Sequence, residues 1–458
     1  METRENKMGV MPIKKLVISM ALPMMFSMLV QALYNIVDSY FVARLSEDAL
    51  AAVTVAFPIQ NMMIAVGSGT GVGINALLSR SLGEKRFDRA DDAANTGIAL
   101  AFFSYLAFLV IGLTASRPFI ISQTSSEAVR EFGIIYTTLC CTMSIGVFFQ
   151  MTFERLLQST GRTVLSMFSQ VTGAVINILL DPILIFGLWG APALGIAGAA
   201  IATVFGQIIA SVLGLFLNLR FNHDIHLSGK RILRPKAAVV RDIYLVAVPS
   251  ILMMAIGSIM SYAMNRILDT FSSTATAVFG AYFKLQSFFF MPVFGINAGI
   301  IPILAYNLGA GKKDRIRGTL RFALGLAVVI MVLGTLCFEL FPAQLLGIFN
   351  ASGRMLTIGI PAMRIVAVHF PLAAVCIILG SVFQAFSVSI YSLIVSVCRQ
   401  LVILIPAAYL LARSGIVDLV WLSFPIAEVM SVVITLLMFR RVCRKVLHEN
   451  PLKRAADR

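Results

Sequence analysis

Two aspartates, Asp38 and Asp181, stand inside long apolar segments of this sequence, where a carboxylate is costly and usually functional. Asn177 precedes Asp181 by four residues, so a helix would place both side chains on one face. Thr203 adds a hydroxyl in the next apolar segment, and Tyr34 lies one helical turn before Asp38. At about 1.5 Å per residue, Asp38, Asp181 and Thr203 lie roughly 8 to 13 Å below the outer ends of three predicted helices, and Asn177 lies one turn deeper than Asp181. We therefore predict that they meet at one level.

The chemistry of this set is that of a cation site. The same half of the chain has no deep lysine or arginine, so the two carboxylates lack a basic partner. Two carboxylates buried together can take up a proton, and carboxylate, amide and hydroxyl oxygens are ligands for a hard cation such as Na⁺. We predict that H⁺ or Na⁺ binds at Asp38, Asn177, Asp181 and Thr203, beside Tyr34. The alternative for Asn177 and Thr203 is that they only join helices.

The elements that position these residues are predicted to be membrane helices. Of 458 residues, 59% are hydrophobic and 13% charged, and the mean hydropathy of +0.89 excludes a soluble or disordered chain. Apolar runs long enough to cross a hydrocarbon layer of about 30 Å recur along the sequence. We predict twelve such helices, at residues 16–43, 49–78, 93–115, 132–157, 163–188, 194–219, 242–268, 276–306, 319–341, 356–386, 391–412 and 416–439.

Basic residues predict the orientation of these helices. Most of the 37 lysine and arginine residues fall at the two termini and in alternate loops. The remaining loops contain only Arg44, Arg117, Arg130, Arg354 and Arg413. By the positive-inside rule, both termini are cytoplasmic. Topology and contact with anionic lipid thus explain the net charge of +15, so we predict no nucleic-acid partner.

The two halves of the chain repeat each other at an offset of 226 residues. Matching pairs include Pro23 and Pro249, Gln60 and Gln286, Gly69 and Gly295, Gly73 and Gly299, and Asp88 and Asp314. Each repeat has six predicted helices, an even number, so both halves insert in the same orientation, as in some secondary transporters. We predict an all-α membrane protein of two pseudo-symmetric six-helix bundles. These are an N-terminal lobe at 1–219, a cytoplasmic linker at 220–241, and a C-terminal lobe at 242–458 with a basic tail.

Motifs for other kinds of chemistry are missing from the sequence. The six cysteines show no metal-binding spacing, and we find no hydrolase, protease or ATP-binding motif. The glycines at 67–73 lack the lysine of a phosphate-binding loop and lie inside a predicted helix. We therefore predict a transporter and not an enzyme, with no cofactor and with an ion gradient as its source of energy. The alternative is a membrane scaffold or membrane enzyme that arose by duplication.

Three motifs resemble signatures of the multidrug and toxic compound extrusion (MATE) family. They are LYNIVDSYFVA at 33–43, NILLDPILIFG at 177–187 and GAAIAT at 198–203. The resemblance covers nearly the whole chain and is nearest to the bacterial MepA-like and DinF-like branches. It implies two six-helix lobes around a central cleft in the bacterial inner membrane. It also implies antiport of H⁺ or Na⁺ against amphipathic, usually cationic drugs by alternating access, and hence antibiotic resistance.

The resemblance also implies roles for individual residues. In relatives that hold the ion in the N-terminal lobe, the matching positions are Asp38, Asn177, Asp181 and Thr203. Pro23 falls where those relatives bend helix 1, so we expect a hinge there; the alternative is an ordinary packing bend. The NorM branch has acidic residues in helices 7 and 10, and this sequence has no deep acid in either. That difference favours coupling through the N-terminal lobe.

Candidates for contact with a substrate are spread over both halves. Methionine and phenylalanine side chains suit bulky apolar cations, and glutamines add hydrogen bonds. The predicted cleft residues are Gln60, Gln286, Met28, Met62, Met254, Met260, Phe288, Glu428 and Lys284. Glu428 is also expected to pair with Lys284 or Arg364. The alternative function is a flippase for lipid-linked precursors, which would need deep basic residues in its cleft. We expect a functional monomer whose partners are small amphipathic molecules and membrane lipid.

Overall fold

The chain folds almost entirely into helices. The computed structural model describes residues 6–349 and 351–447, and every regular element in that part of the chain is helical. Ten helices are long and apolar enough to cross a membrane. Two pairs of shorter helices, each bent by 46°, complete twelve spans when each pair is taken as one. The predicted all-α fold with twelve spans is confirmed.

The spans, numbered in chain order, begin and end within several residues of the predicted bounds. They are Ile13–Leu45, Glu47–Gly83, Phe87–Thr114, Glu127–Thr142 with Ile145–Ser159, Thr163–Phe186, Ile196–Phe221, Ala237–Asp269, Ser273–Gly309, Lys313–Leu340, Gly353–Ala367 with Phe370–Ala385, Ile390–Ala412 and Val417–Lys445. Span 11 contains a π-helical stretch at Cys398–Leu404, and span 12 consists of Val417–Trp421 and Ser423–Leu447. The shorter elements are Lys7–Val10, Ser116–Gln123, Leu188–Gly190, Gly229–Ile232 and Pro342–Gly347.

The 226-residue repeat extends to the ends and bends of the helices. Spans 2 and 8 both have 37 residues, and spans 3 and 9 both have 28. Span 2 begins after Ser46, whose side chain accepts a hydrogen bond from the Ala49 amide at 3.0 Å. Span 8 begins in the same way, because Ser272 accepts from the Ala275 amide at 3.1 Å. Spans 4 and 10 bend at matching positions. The duplication therefore preserved capping and bending as well as sequence.

Packing divides the described chain into two units. The N-unit comprises residues 26–251, and the C-unit combines residues 6–25 with 252–447. Each division falls inside a continuous helix, span 1 or span 7, a short distance after Pro23 or Pro249. The lobe bounds predicted at residues 219 and 242 follow the repeat and stay a prediction. Residues 1–5 of the predicted N-terminal lobe and 448–458 of the basic tail lie outside the described residues.

Glycines allow spans 5 and 6 of the N-unit to pack closely. A Cβ atom on Gly206 would lie 2.7 Å from the carbonyl oxygen of Gly173, and one on Gly198 would lie 2.4 Å from that of Leu184. Small residues at a helix interface let two backbones approach each other in this way. The contact fixes the face of span 5 that carries Asn177 and Asp181 against span 6.

The segment between spans 6 and 7 packs onto the start of span 3, within the N-unit. Asp91 accepts a hydrogen bond from the His226 amide at 2.8 Å, and Lys236 Nζ lies 2.6 Å from Asp92 Oδ2. Arg231 pairs with Asp88, Asp91 and Asp92 at 3.2 to 3.7 Å. The hydrogen bond with Asp88, followed by the charges of Asp92 and Asp91, raises the pKa of the Arg231 guanidinium. The basic segment is thus held by a cluster of acids.

Candidate functional site

Asp38 in span 1 and Asp181 in span 5 lie together in the N-unit. Asp181 is fully buried, and Asp38 is partly buried. Their carboxyl groups are within hydrogen-bonding reach of each other. Among the described residues, no donor reaches either oxygen of Asp181 or Oδ1 of Asp38. Two ionised carboxylates this close repel each other, so the pair requires a proton or a metal cation.

No base in the described part of the chain forms an ion pair with either aspartate. The N-unit bases that do form ion pairs, such as Arg89, Arg162 and Arg231, pair with other acids. The two carboxylates can therefore respond to an ion that enters from outside the protein.

Asn177 and Thr203 extend the site from span 5 to span 6. Asn177 Nδ2 donates to Thr203 Oγ1 at 3.2 Å, and both residues are buried. The amide oxygen of Asn177 has no donor among the described residues. Because Asn177 lies one turn before Asp181, this oxygen adds a further acceptor on the same helix face. The structure thus brings four of the five predicted coupling residues onto neighbouring faces of spans 1, 5 and 6.

Tyr34, the fifth predicted residue, connects the acids to span 4. Its ring lies near Asp38, Asp181 and Cys140. Tyr136 of span 4 lies near Asp38 and Tyr34, and its hydroxyl accepts a hydrogen bond from Gln60 Nε2 at 3.1 Å. Gln60 of span 2, predicted to line a cleft, therefore belongs to the polar network around the acids.

Tyr136 and Cys140 are network residues that the sequence reasoning missed. They lie one turn apart in span 4, with Tyr136 2% and Cys140 5% exposed. Gln60 Nε2 also lies 3.7 Å from Cys140 Sγ. The available signal was a cluster of polar side chains between Tyr136 and Thr142, in the middle of span 4.

The oxygens of this site suit a proton or a monovalent cation. Asp38, Asp181 and Asn177 together present four buried acceptor oxygens without donors in the described part of the chain. The described residues contain no group of three or more His, Cys, Asp or Glu side chains that could hold a metal ion. Two carboxylates with amide and hydroxyl oxygens have the hardness that Na⁺ prefers and lack the soft ligands of transition metals.

Pro23, the predicted hinge, is buried inside the continuous helix of span 1. A proline within a helix removes one backbone hydrogen bond and weakens the helix there. Pro23 lies three residues before Phe26, where the N-unit begins. The hinge itself stays a prediction.

The remaining cleft candidates have different surroundings. Met62, Phe288 and Lys284 are exposed, whereas Met28, Gln286 and Met254 are half-buried and Met260 is buried. Among these, Met254 lines a cavity within the C-unit. Glu428 is buried and lies beside that cavity rather than on an open face.

The partner expected for Glu428 was wrong. Glu428 Oε1 lies 3.6 Å from Arg399 Nη1, on span 11, and pairs with neither Lys284 nor Arg364 in the described structure. Arg364 instead donates to the carbonyl oxygen of Glu339 at 3.2 Å. Similar depth made Lys284 and Arg364 plausible partners, but depth leaves the rotation of each helix undetermined.

Twelve apolar spans in two matching repeats, with a buried pair of carboxyl groups in one of them, are typical of a multi-pass membrane transporter. The model of the MatE family matches residues 23–183 and 249–410, and the chain belongs to this family of transporters. The two matches begin one repeat length apart. The class of protein and the predicted family are thereby confirmed, and with them the prediction that the chain is not an enzyme.

Several proteins and structures are similar over nearly the full chain. A protein named FAD transporter, from Shewanella oneidensis, is 25% identical over 443 residues, which cover 95% of this chain and 96% of that protein. The multidrug export protein MepA of Staphylococcus haemolyticus is 25% identical and is covered over 90% of both chains. The outward-facing structure of a multidrug resistance MATE family transporter matches with a TM-score of 0.90 at 24% identity, over 97% of this chain and 99% of that one. A MOP superfamily transporter from Pyrococcus furiosus, described as having a binding pocket of reverse polarity, matches with a TM-score of 0.88 at 24% identity, over 98% and 99%.

Proposed function

We propose that this protein is a secondary active multidrug exporter that exchanges H⁺ or Na⁺ for amphipathic, cationic drugs. The observation that carries the proposal is the buried pair Asp38 and Asp181, which has no donor and no base among the described residues. The similarity to multidrug export proteins named MepA supports drug export as the activity.

The mechanism follows from the charge of the pair. Without a bound ion, two carboxylates face each other at a cost that favours separation of spans 1 and 5. A proton held between Asp38 and Asp181, or Na⁺ held with the oxygens of Asn177 and Thr203, removes that repulsion. Ion binding thus favours one arrangement of span 1 over another, and Pro23 is the point where span 1 can bend. An ion gradient then drives alternating access and release of the drug.

The orientation and environment complete the proposal. Both termini lie in the cytoplasm, and the protein acts as a monomer in the bacterial inner membrane. The exposed side chains of Lys230 and Arg234 in the basic segment face anionic lipid headgroups, while Arg231 is held by the acids of span 3. Drugs reach the protein as amphipathic molecules dissolved in the membrane or the cytoplasm.

Efflux from proteoliposomes tests the function. The purified protein would be reconstituted, and ethidium efflux measured under an imposed H⁺ gradient and, separately, an imposed Na⁺ gradient. We expect one gradient to drive efflux in the wild type and Asp38→Asn to abolish it. Asp48→Asn, which changes an exposed acid at the start of span 2, is the matched control and should be active. Equal gradient-driven efflux by Asp38→Asn and the wild type would refute the coupling role.

Two other substrates are testable in the same vesicles. A flippase for lipid-linked precursors needs basic groups in its cleft, and the N-unit places none at Asp38 and Asp181. Flavin nucleotides are the second candidate, because a relative that matches 95% of this chain is named FAD transporter. Gradient-driven efflux of FAD but not ethidium would favour that candidate.

A further inference from the structure

A separate cavity of about 330 Å³ lies within the C-unit. Side chains from spans 7, 8, 10, 11 and 12 line it, and Arg399 is the one charged residue among them in the described chain. Pockets that bind small molecules begin at about 300 Å³ and combine an apolar wall with a few convergent polar groups. The cavity has the size and composition of such a pocket, and none of its lining residues belongs to the site around Asp38.

Arg399 presents positive charge to this cavity. Its partner Glu428 lies 3.6 Å away, is only 5% exposed and is not among the lining residues. The pair is therefore neutral as a whole, but its positive end faces the cavity. A guanidinium has five N–H donors in a planar fork, and this single long contact leaves most of them to a ligand. Carboxylate and phosphate groups both match such a fork, and a mostly apolar cavity with a single cationic residue favours the singly charged carboxylate.

Amide oxygens and aromatic rings complete the lining. Gln384 and Gln400 are each 6% exposed, and their Oε1 atoms have no donor among the described residues. They can accept hydrogen bonds from a ligand N–H. Phe290, Phe294 and Phe383 supply flat apolar surface. Aromatic walls of this kind bind a planar ring by stacked or edge-to-face contact.

Several polar groups at the cavity are specific to the second repeat, whereas Gln384 corresponds to Gln158 of the first. At the offset of 226 residues, Arg399, Gln400 and Glu428 correspond to Gly173, Ala174 and Ala202. Conversely, Asp38 and Asp181 correspond to Met264 and Ala407. The two halves have therefore diverged reciprocally, one toward acids and the other toward a base. Span 11 is also π-helical from Cys398 to Leu404, and such turns are frequent at functional sites.

We propose that the cavity of the C-unit is a binding site for a planar aromatic carboxylate that bears an N–H group. Arg399 binds the carboxylate, Gln384 and Gln400 accept from the N–H, and the phenylalanines enclose the ring. An aromatic amine of the same shape is disfavoured because its charge has the same sign as that of Arg399. The site goes beyond the proposed cation coupling and drug export, since it requires neither.

Direct binding tests this site. Purified full-length protein in lipid nanodiscs would be titrated with tritiated indole-3-acetate, an aromatic carboxylate with a ring N–H. Tryptamine, which has the same ring with a cationic chain, would be the competitor. We expect saturable binding of indole-3-acetate at one site per protein, and competition by tryptamine at least tenfold weaker than by unlabelled indole-3-acetate.

Variants locate the site. Arg399→Gln should weaken binding by about tenfold or more, the loss expected for a charge-assisted hydrogen bond. Because this change leaves Glu428 unpaired, the double variant Arg399→Gln with Glu428→Gln is tested beside it and should show the same loss. Arg413→Gln is the matched control, since Arg413 directly follows span 11 and stacks on Tyr409, outside the cavity.

The outcomes separate this inference from the proposed function. Asp38→Asn should bind indole-3-acetate as the wild type does, even if it has lost efflux. The proposal is overturned by absence of saturable binding in the wild type, by unchanged binding in the double variant, or by tryptamine competing equally well. Each of these results leaves gradient-driven ethidium efflux, and therefore the coupling role of Asp38, unaffected.

Discussion

At the scale of single residues, the protein separates its charges by function. Asp38 and Asp181 lie together without a base, whereas Glu428 is held by Arg399. The guanidinium already neutralises the acid that it pairs with, so that acid gains little from binding a mobile ion. An acid that lies beside a second acid without a base gains much more, because the ion removes their repulsion. The proposed ion coupling therefore depends on the pair rather than on either aspartate alone.

Shared function of the pair predicts non-additive variants. Asp38→Asn and Asp181→Asn should each lower the initial rate of gradient-driven ethidium efflux by at least tenfold. The double variant should be no slower than the worse single variant, because residues that act as a unit lose their effect together. Losses that multiply in the double variant would show that the two aspartates act independently.

Part of the candidate site could be predicted from the sequence. The four-residue spacing predicted that Asn177 and Asp181 share one helix face. The number of residues from the outer end of span 1 predicted that Asp38 lies at a similar depth in the membrane. The partners that depend on helix rotation could not be predicted, because hydropathy fixes the depth of a side chain but leaves its direction open. Tyr136 beside the acids and Arg399 beside Glu428 are both of this kind.

At the scale of elements, glycines decide how closely the repeat-related helices pack. In the N-unit, a Cβ atom on Gly73 of span 2 would lie 2.4 Å from the carbonyl oxygen of Ile243 in span 7. In the C-unit, a Cβ atom on Gly299 of span 8 would lie 2.8 Å from Cα of Ala21 in span 1. Spans 2 and 7 correspond in the repeat to spans 8 and 1, so equivalent helix contacts occur once in each unit. The sequence predicted the helices and their repeat well, because apolar length and register are local properties.

Whether an alanine substitution raises or lowers the free energy of unfolding should depend on the space around each glycine. Gly73→Ala is expected to lower the free energy of unfolding by about 1 to 3 kcal/mol, because backbone must shift to admit the methyl group. Gly280 lies in span 8, the counterpart of span 2, and has nothing within 4 Å of its Cβ position. Gly280→Ala should therefore leave the free energy of unfolding unchanged or raise it. Thermal unfolding of the purified variants measures both. Equal effects at the two positions would contradict tight packing at Gly73.

The ion pairs between the acidic cluster of span 3 and the linker should make a salt-dependent contribution to the unfolding temperature. Asp92→Asn removes the partner of Lys236 and one partner of Arg231, so we expect the unfolding temperature to fall by a few degrees. The difference from the wild type should shrink at about 1 M salt, where the screening length is about 3 Å.

Asp314→Asn is the control for this prediction. Asp314 occupies the position of Asp88 in the second repeat, and its ion-pair partner Arg317 is 3.8 Å away across exposed side chains. This variant should unfold at the wild-type temperature. A salt-independent effect of Asp92→Asn would assign the loss to packing and not to charge.

At the scale of the whole molecule, the two compact units do not coincide with the two repeats. Residues 6–25, the first part of the first repeat, pack with residues 252–447. The corresponding part of the second repeat packs within the N-unit. This arrangement depends on the burial of small residues against another helix. A repeat in the sequence does not predict whether that helix belongs to the same repeat or to the other one.

A cross-link within the C-unit tests this division. A Cβ atom at position 318 would lie 2.5 Å from Cδ1 of Ile13, so Ile13→Cys with Gly318→Cys should cross-link in a background without the six native cysteines. Because both positions belong to one unit, the cross-linked protein should retain the efflux rate that it has after reduction. A cross-link that blocks efflux reversibly would show that the start of span 1 changes its partner during transport.

The division also has a consequence for the order of synthesis. The N-unit is a continuous stretch of chain, so all of its contacts are available once residue 251 has been inserted. Residues 6–25 are made before the N-unit, but their packing partners in spans 8 and 9 emerge more than two hundred residues later. At about 5 to 20 residues per second, the first half-helix stays in the membrane without its final neighbours for roughly ten seconds to a minute. A segment that is synthesised before the N-unit is therefore among the last to reach its native contacts.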